Sequence, residues 1–203
     1  VDVNNSDNIK LRFIRPDYTG SGVNADDINI DNLEISPNNF YVENNTCKCP
    51  DANFGDSGQV TINGQQNTFT KRTRAQLDAL IAADINDPEI ALTCTSGITD
   101  MSNLFEGTDL NQNINSWDVS NVTTMNSMFK NVSISFNQPL GNWDTSNVMD
   151  MSYMFHLAYI FNQNINSWDV SNVTNMNSMF YRTNSFNQPL DNWDVANVTN
   201  MET

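Results

Sequence analysis

Four tryptophans stand at residues 117, 143, 168 and 193, spaced by 26, 25 and 25. Each lies at the same place in one frame. The segments read LNQNINSWDVSNVTTMNSMF from Leu110, FNQPLGNWDTSNVMDMSYMF from Phe136, FNQNINSWDVSNVTNMNSMF from Phe161 and FNQPLDNWDVANVTNM from Phe186. Their shared template is F-N-Q-x-L/I-x-x-W-D-V-x-N-V-x-x-M-x-x-M-F. The first and third copies match most closely, as do the second and fourth, so a two-repeat unit of about 50 residues has been duplicated. A degenerate copy, LTCTSGITDMSNLF from Leu92, keeps only the second half. Its Ile98, Met101, Leu104 and Phe105 fall where Val122, Met125, Met128 and Phe129 fall later, with Thr93 in place of Trp and Gly97 in place of Asn. Terminal repeats are atypical because they cap a stack.

A repeat of this length cannot bury its own Trp, Met and Phe, but a stacked neighbour covers them. L-x-x-W-x-V has the form of the L-x-x-L-x-L leucine-rich-repeat signature. Alternation at Trp143 and Thr145, or Trp168 and Val170, predicts a short strand with those side chains facing in and the intervening Asp facing out. The Val, Met and Met-Phe that follow recur in steps of three, which suits a 3₁₀ or α turn. The expected fold is a β-rich, leucine-rich-repeat-like solenoid of about 25-residue coils, each a short parallel strand plus a helical turn, with strands about 4.8 Å apart. Trp117, Trp143, Trp168, Trp193, Phe129, Phe155 and Phe180 are its expected core.

The stack accounts for the composition. There are 35 asparagines among 203 residues. Asn121, Asn147, Asn172 and Asn197 share one frame position and are expected to form an inward corner ladder, each amide bonding corner backbone and the Asn above; ligand binding is the competing use. Three of them stand in Asn-x-Thr, a coincidence if the row is structural. The net charge of −15 excludes nucleic acid and disfavours anionic membranes, since both need basic clusters. No apolar run is long enough to span a bilayer.

Residues 1–36 carry no repeat. KLRFIRPD from Lys10 and INIDNLEIS from Ile28 alternate as strands around a Gly/Asn/Asp loop. They resemble the end of a jelly-roll or MAM-like sandwich whose remainder is expected upstream, as two strands make no stable sandwich. Residues 37–90 read as a connector and N-terminal cap. Asn63-Gly64 between strand-like runs predicts a hairpin. Thr73 and Gln76 form a capping-box pattern before Leu77, Leu80 and Ile81, so a short helix is expected, ending near Asp87-Pro88 and covering the first coil. Residues 91–203 are the repeats, and the frame predicts Met and Phe after Thr203.

F-N-Q-P-L-x-N-W-D-x-S-N-V-x-x-M-x-x-M-F resembles the repeat of BspA-like leucine-rich surface proteins of mycoplasmas, lactobacilli and marine Bacteroidetes, over residues 92 to 203. The stretch YVENNTCKCPDANFGDSGQVTINGQQNTFT resembles the segment that precedes such repeats in flavobacterial surface proteins. The resemblance implies an extracellular or outer-surface protein used in adhesion, ligand display or extension. It carries no catalytic residues to transfer. Its expected partners are a surface protein or glycan, and secretion or cell-surface machinery; the gliding-associated route is the one the resemblance suggests. Two other readings stand beside it: an accessory region of a secreted polysaccharide-acting enzyme, and a structural stalk or fibre subunit.

The cysteines suit an exported chain. A bond from Cys94 to Cys47 or Cys49 would staple connector to repeats; free thiols and a metal site are the alternatives, and C-x-C without His is poor zinc spacing. No cofactor is expected, with calcium the exception to weigh. Asp118, Asp144, Asp169 and Asp194 would stack like charges along one face, which calls for a cation, a donor or local Asx-turn bonds. Asp26, Asp27 and Asp31 form a second candidate calcium cluster, without the EF-hand pattern. His156, alone of its kind, reads as a surface or packing residue.

Overall fold

A computed structural model describes residues 39–202. The sandwich expected at residues 1–36, and Asp26, Asp27 and Asp31 with it, lie outside the described residues.

The connector opens with a hairpin, β1 (Tyr41–Glu43) and β2 (Thr46–Lys48), antiparallel with Val42 opposite Cys47. Its turn is Asn44-Asn45, both left-handed at φ 50° and 62°, a conformation Asn tolerates better than other side-chain-bearing residues. A second hairpin, β3 (Ser57–Ile62) and β4 (Gln65–Lys71), turns at Asn63-Gly64 with φ 51° and 78°. β4 also pairs in parallel with β5 (Thr93–Cys94), joining the connector to the degenerate repeat. Between β4 and β5 lies α1 (Arg74–Ala83), capped by Thr73 and Gln76 in a reciprocal capping box. The helix stops at Ala83, four residues before the predicted Asp87; Asp84 caps it and starts the turn that brings Asp87 N–H onto the Asp84 carbonyl.

Successive repeats stack in register. Isolated parallel bridges run Asp100–Thr124–Asp150–Asn175–Asn200, one residue per repeat. This pairing lies between the Val and Met of the frame, downstream of the Trp-Asp-Val predicted to be the strand. The Trp stretch is committed to turns: Trp117, Trp143, Trp168 and Trp193 N–H each close onto the carbonyl three residues back. The Met-x-x-Met-Phe run is not helical either. Met125, Ser127, Phe129 and Asn131 N–H donate to Asp150, Ser152, Met154 and His156 carbonyls of the next repeat at 2.7–2.9 Å. A helix would use those groups internally. Instead the run is a chain of turns, with Ser127 and Asn131 left-handed at φ 55° and 52°.

Three aromatic columns thread the stack. Phe129, Phe155 and Phe180 stack at 5.5 and 5.8 Å, Phe136, Phe161 and Phe186 at 6.1 Å, and Trp143, Trp168 and Trp193 at 6.1 and 6.5 Å. Trp117, Trp143, Trp168, Phe129 and Phe155 are buried, while Phe180 and Trp193 of the later repeats are partly buried against the same cluster. Each indole N–H donates to a carbonyl of the preceding layer: Trp143 to Ile114, Trp168 to Leu140, Trp193 to Ile165.

The end of the connector completes the degenerate repeat, and its helix caps it. Trp117 bonds the Ile90 carbonyl, which holds in that repeat the place Ile114 takes one layer on. The carbonyls of Asp100 and Ser102 correspond to those of Thr124 and Asn126, which accept from Met101 and Asn103 N–H. At the first layer the Arg74 guanidinium takes that part, donating to both at 2.8 Å. Leu77 is buried in the repeat core, with Leu80 and Ile81 packed beside it, so α1 covers the edge that would otherwise stand open.

Candidate binding surface

The aspartate after each tryptophan forms a row with two environments. Asp144, Asp169 and Asp194 are exposed. Each accepts from the backbone N–H two residues on, Ser146 at 3.1 Å, Ser171 at 2.9 Å and Ala196 at 3.1 Å, which is an Asx-turn. The Ser171 side chain and N–H together lower the pKa of the Asp169 carboxyl from its ordinary value. The local donors offset the repulsion expected of a like-charged column.

Asp118 departs from the outward orientation expected of the row: it is buried, because β2 lies across it. Lys48 Nζ donates to its Oδ1 at 2.6 Å, with the side chains 10% and 4% exposed. Ser120 adds its N–H at 3.1 Å and its hydroxyl at 2.7 Å, and Ser96 donates to Oδ2 at 2.5 Å. Lys48 also reaches Ser120 Oγ at 3.1 Å and approaches Glu43 at 3.8 Å. Burial pushes the Asp118 carboxyl up, but the bonds from Lys48, Ser96 and Ser120 outweigh it and hold the group below its ordinary value.

Cys94 occupies the same frame position in the degenerate repeat, as Thr93-Cys94-Thr95-Ser96 aligns with Trp117-Asp118-Val119-Ser120. It is bonded to Cys49. Of the two pairings the sequence left open, the structure forms this one. Cys47 remains a buried thiol whose pKa is pushed up to about 12 by burial and by the charge of Asp118. The connector strand therefore engages two successive row positions, Cys49 at one and Lys48 at the next. The backbone follows: Cys47 N–H donates to Ser116 carbonyl at 2.7 Å and Cys49 N–H to Ser96 Oγ at 2.9 Å.

The Asn row lies on the surface, where an inward corner was expected. Asn121, Asn147, Asn172 and Asn197 are exposed, and the last three donate to the carbonyls of Ser120, Ser146 and Ser171 in the preceding repeat, each at 2.7 Å. The amides bond backbone and not one another. A second polar ladder went unread in the sequence. The side-chain amides of Gln138, Gln163 and Gln188 donate to Oδ1 of Asn111, Asn137 and Asn162, and the N–H groups of Asn162 and Asn187 donate to Oδ1 of Asn137 and Asn162 at 2.9 Å. The Asn-Gln pair common to all four full copies was the signal for it.

Among the described residues, no group of three or more His, Cys, Asp or Glu is placed to hold a metal ion, and no helix is long and apolar enough to cross a membrane. His156 stacks on Tyr181 at 4.8 Å and leans on Tyr153 at 5.4 Å. Burial, with Lys130 and Arg182 nearby, lowers its pKa despite a backbone bond at Ser178. An apolar hollow of about 610 Å³ at the last repeat is lined by Met176, Met179, Phe180, Leu190, Trp193 and Met201.

A family profile described as "Mycoplasma protein of unknown function, DUF285" matches residues 78–158 and 99–203. No curated protein and no solved structure matches the chain.

Proposed function

The chain belongs to the DUF285 family, and on that premise we propose that it is a non-enzymatic repeat protein of the extracellular or outer cell surface, used for adhesion or ligand display. We assign it to the BspA-like branch and read its repeats as a leucine-rich-repeat-like solenoid. The observation that carries the reading is the row structure itself. Stacking multiplies one side-chain pattern along an exposed face, giving a graded, multivalent surface of Asp, Ser and Asn. Such a face suits recognition of an extended partner, protein or glycan. An acid–base pair for hydrolysis needs two carboxyls in unlike environments facing one bond. Asp144, Asp169 and Asp194 instead share one environment. The Cys49–Cys94 bond supports an oxidising location.

The test is surface labelling of intact cells that make the protein, with a membrane-impermeant amine reagent and with antibody to residues 92–203. Labelling before lysis, together with loss of cell attachment on blocking with the purified chain, is the expected result. Protein reached only after lysis would overturn the reading.

A further inference from the structure

We propose that the strip formed by Lys130, Tyr153, His156, Tyr181 and Arg182 binds an acidic glycan, one that carries carboxylates on its sugar rings. The proposal rests on the reading of this chain as a displayed recognition surface. It names the class of ligand and a contact site apart from the aspartate row.

Stacking constrains most of the repeat and leaves one part free. Between the Phe that closes one copy of the frame and the residue that opens the next stand EGTD, KNVSIS, HLAYI and YRTNS, segments with no common pattern. In repeat proteins such differences of length and identity gather in the loops of one face, often the binding face. These segments hold every Lys and Arg after Ala91 and the only His of the chain. The structure draws them together. Lys130 Nζ lies 6.0 Å from the Tyr153 ring, which lies 5.4 Å from His156. His156 stacks on Tyr181 at 4.8 Å, and the Arg182 guanidinium lies 5.5 Å from the Tyr181 ring. A cation therefore closes each end of a run of three rings.

The strip is held at a cost that the stack does not require. Tyr153 and Arg182 are left-handed, at φ 57° and 54°. In other repeats the place of Tyr153 is filled by Ser127 and Ser178, and that of Arg182 by Gly107 and Asn131. A bulky side chain in that region is an outlier where a smaller one serves, and such outliers cluster at ligand clamps. His156 Nδ1 is buried without a hydrogen-bond partner. Glu106, Lys130 and Tyr181 fill the same frame position, so the fold does not demand an imidazole there. An orphaned buried nitrogen of this kind calls for a reason other than packing.

The chemistry of the strip selects the ligand. Arg182 is exposed and meets no carboxylate among the described residues, whereas Lys130 is shared with Glu106 at 2.8 Å. Arg182 is then the main anchor for an acid group. Main-chain groups along the strip are already paired. The carbonyls of Lys130, His156 and Tyr181 accept from Gly107, Asn131 and Leu157 N–H, and their own N–H groups donate to Ser127, Tyr153 and Ser178. A peptide that binds by main-chain addition finds no edge here. Tyrosines with an apolar body and a hydroxyl tip suit the apolar faces and hydroxyls of a sugar, and Tyr181 is 39% exposed. The net charge of −15 opposes any anion at long range. At physiological salt, charges beyond about 8 Å are largely screened, and the two local cations decide.

The test uses the whole chain, at physiological salt, with fluorescein-labelled tetramers of galacturonate, glucuronate and mannuronate, read by fluorescence anisotropy. At least one is expected to bind about tenfold more tightly than its methyl ester and than tetraglutamate. Arg182→Gln is expected to lose most of that preference and Lys130→Gln less of it. Glu106→Gln, which frees Lys130, is expected to tighten binding a few-fold. A control of equal charge change to the two cation variants combined, Gln59→Glu with Gln65→Glu on the exposed hairpin, is expected to leave the preference intact. Tyr153→Ser restores the residue of the neighbouring repeats and is expected to weaken binding without lowering the melting temperature. Failure of all three uronates to bind, equal binding of acid and ester, tetraglutamate binding as well as the glycan, or equal weakening by the control would each overturn the proposal. So would a Tyr153→Ser chain that melts lower and binds as well, since the strip would then be packing alone. Surface labelling reads the broader function separately: a chain found only inside cells that still prefers a uronate would sink that reading and leave this one.

Discussion

Asp118 and Asp169 are the same residue in the same frame, one repeat pair apart, with the same Ser two positions on. One is buried under Lys48 and the other stands in water. The frame sets the backbone and the Asx bond alike in both. What lies over the residue sets its energetics. In the first full repeat the connector converts a solvated turn aspartate into half of a buried ion pair, and three later copies keep the solvated form. Duplication thus produced a row of equivalent groups, and one end of the row was recruited to fasten the cap.

The largest expected difference follows from that contrast. Asp118→Ala leaves Lys48 buried without its partner and is expected to destabilise the chain by about 3–5 kcal/mol. Asp169→Ala, at an exposed site, is expected to stay within about 0.5–1 kcal/mol. Paired urea melts of the two variants check this. Equal losses would mean that the Lys48 contact contributes nothing and that the two environments are energetically one.

Acid sharpens the same comparison. The folded Asp118 carboxyl lies below its ordinary value, so the unfolded chain takes up the proton first. The stability this group supplies is complete above the ordinary aspartate pKa of about 3.9 and is lost as pH falls through the depressed folded value. The gap in stability between the wild-type chain and Asp118→Asn is therefore expected to narrow below about pH 4 and to be flat from pH 5 to 7. A gap that widens on acidification would reverse the sign and exclude a charged Asp118.

The parts of this arrangement that were legible in the sequence are local or repeated. Thr73 and Gln76 are three residues apart, and Asn63-Gly64 is a dipeptide; each carries its own geometry. The Trp column was legible because the frame occurs four times. The strand and helical turn read into that frame were less so. Apolar spacing reports which side chains face in, but the left-handed Ser127, Tyr153 and Ser178 that shape the backbone leave no such trace. Lys48 and Asp118 are 70 residues apart, and no periodicity links a connector lysine to a repeat aspartate. The choice between Cys47 and Cys49 was closed to sequence reading for a related reason. Cys47 and Cys49 are two residues apart, so alternation assigns both to one face and cannot choose between them; only the docking of the connector on the repeats decides which thiol meets Cys94.

Opening the disulfide tests whether the cap is a separable layer. The Cys49–Cys94 bond closes a segment with a sequence separation of 45. The double variant Cys49→Ser, Cys94→Ser is expected to lower stability by about 2–4 kcal/mol. Hydrogen exchange should rise in β1 and β2 while the amides of Met151–Phe155, bonded between later repeats, keep their protection. Uniform loss of protection along residues 100–160 would show that cap and repeats open as one unit.

The smallest effect is expected at the ladder. Asn172 donates to Ser146 carbonyl at 2.7 Å from an exposed position. Water is at hand for both groups once the amide is gone, so Asn172→Ala is expected to lose only about 0.5–1 kcal/mol. Asn147 makes the equivalent bond one layer earlier, to Ser120. If the ladder acts as separate bonds, Asn147→Ala and Asn172→Ala add within about 0.5 kcal/mol. A double variant losing well over the sum would mean that the amides order neighbouring corners together, and the row would then hold the repeats in register beside the aromatic columns. Additive losses assign the register to the columns and to the main-chain bonds from Met125 to Asp150 and from Met151 to Asn175.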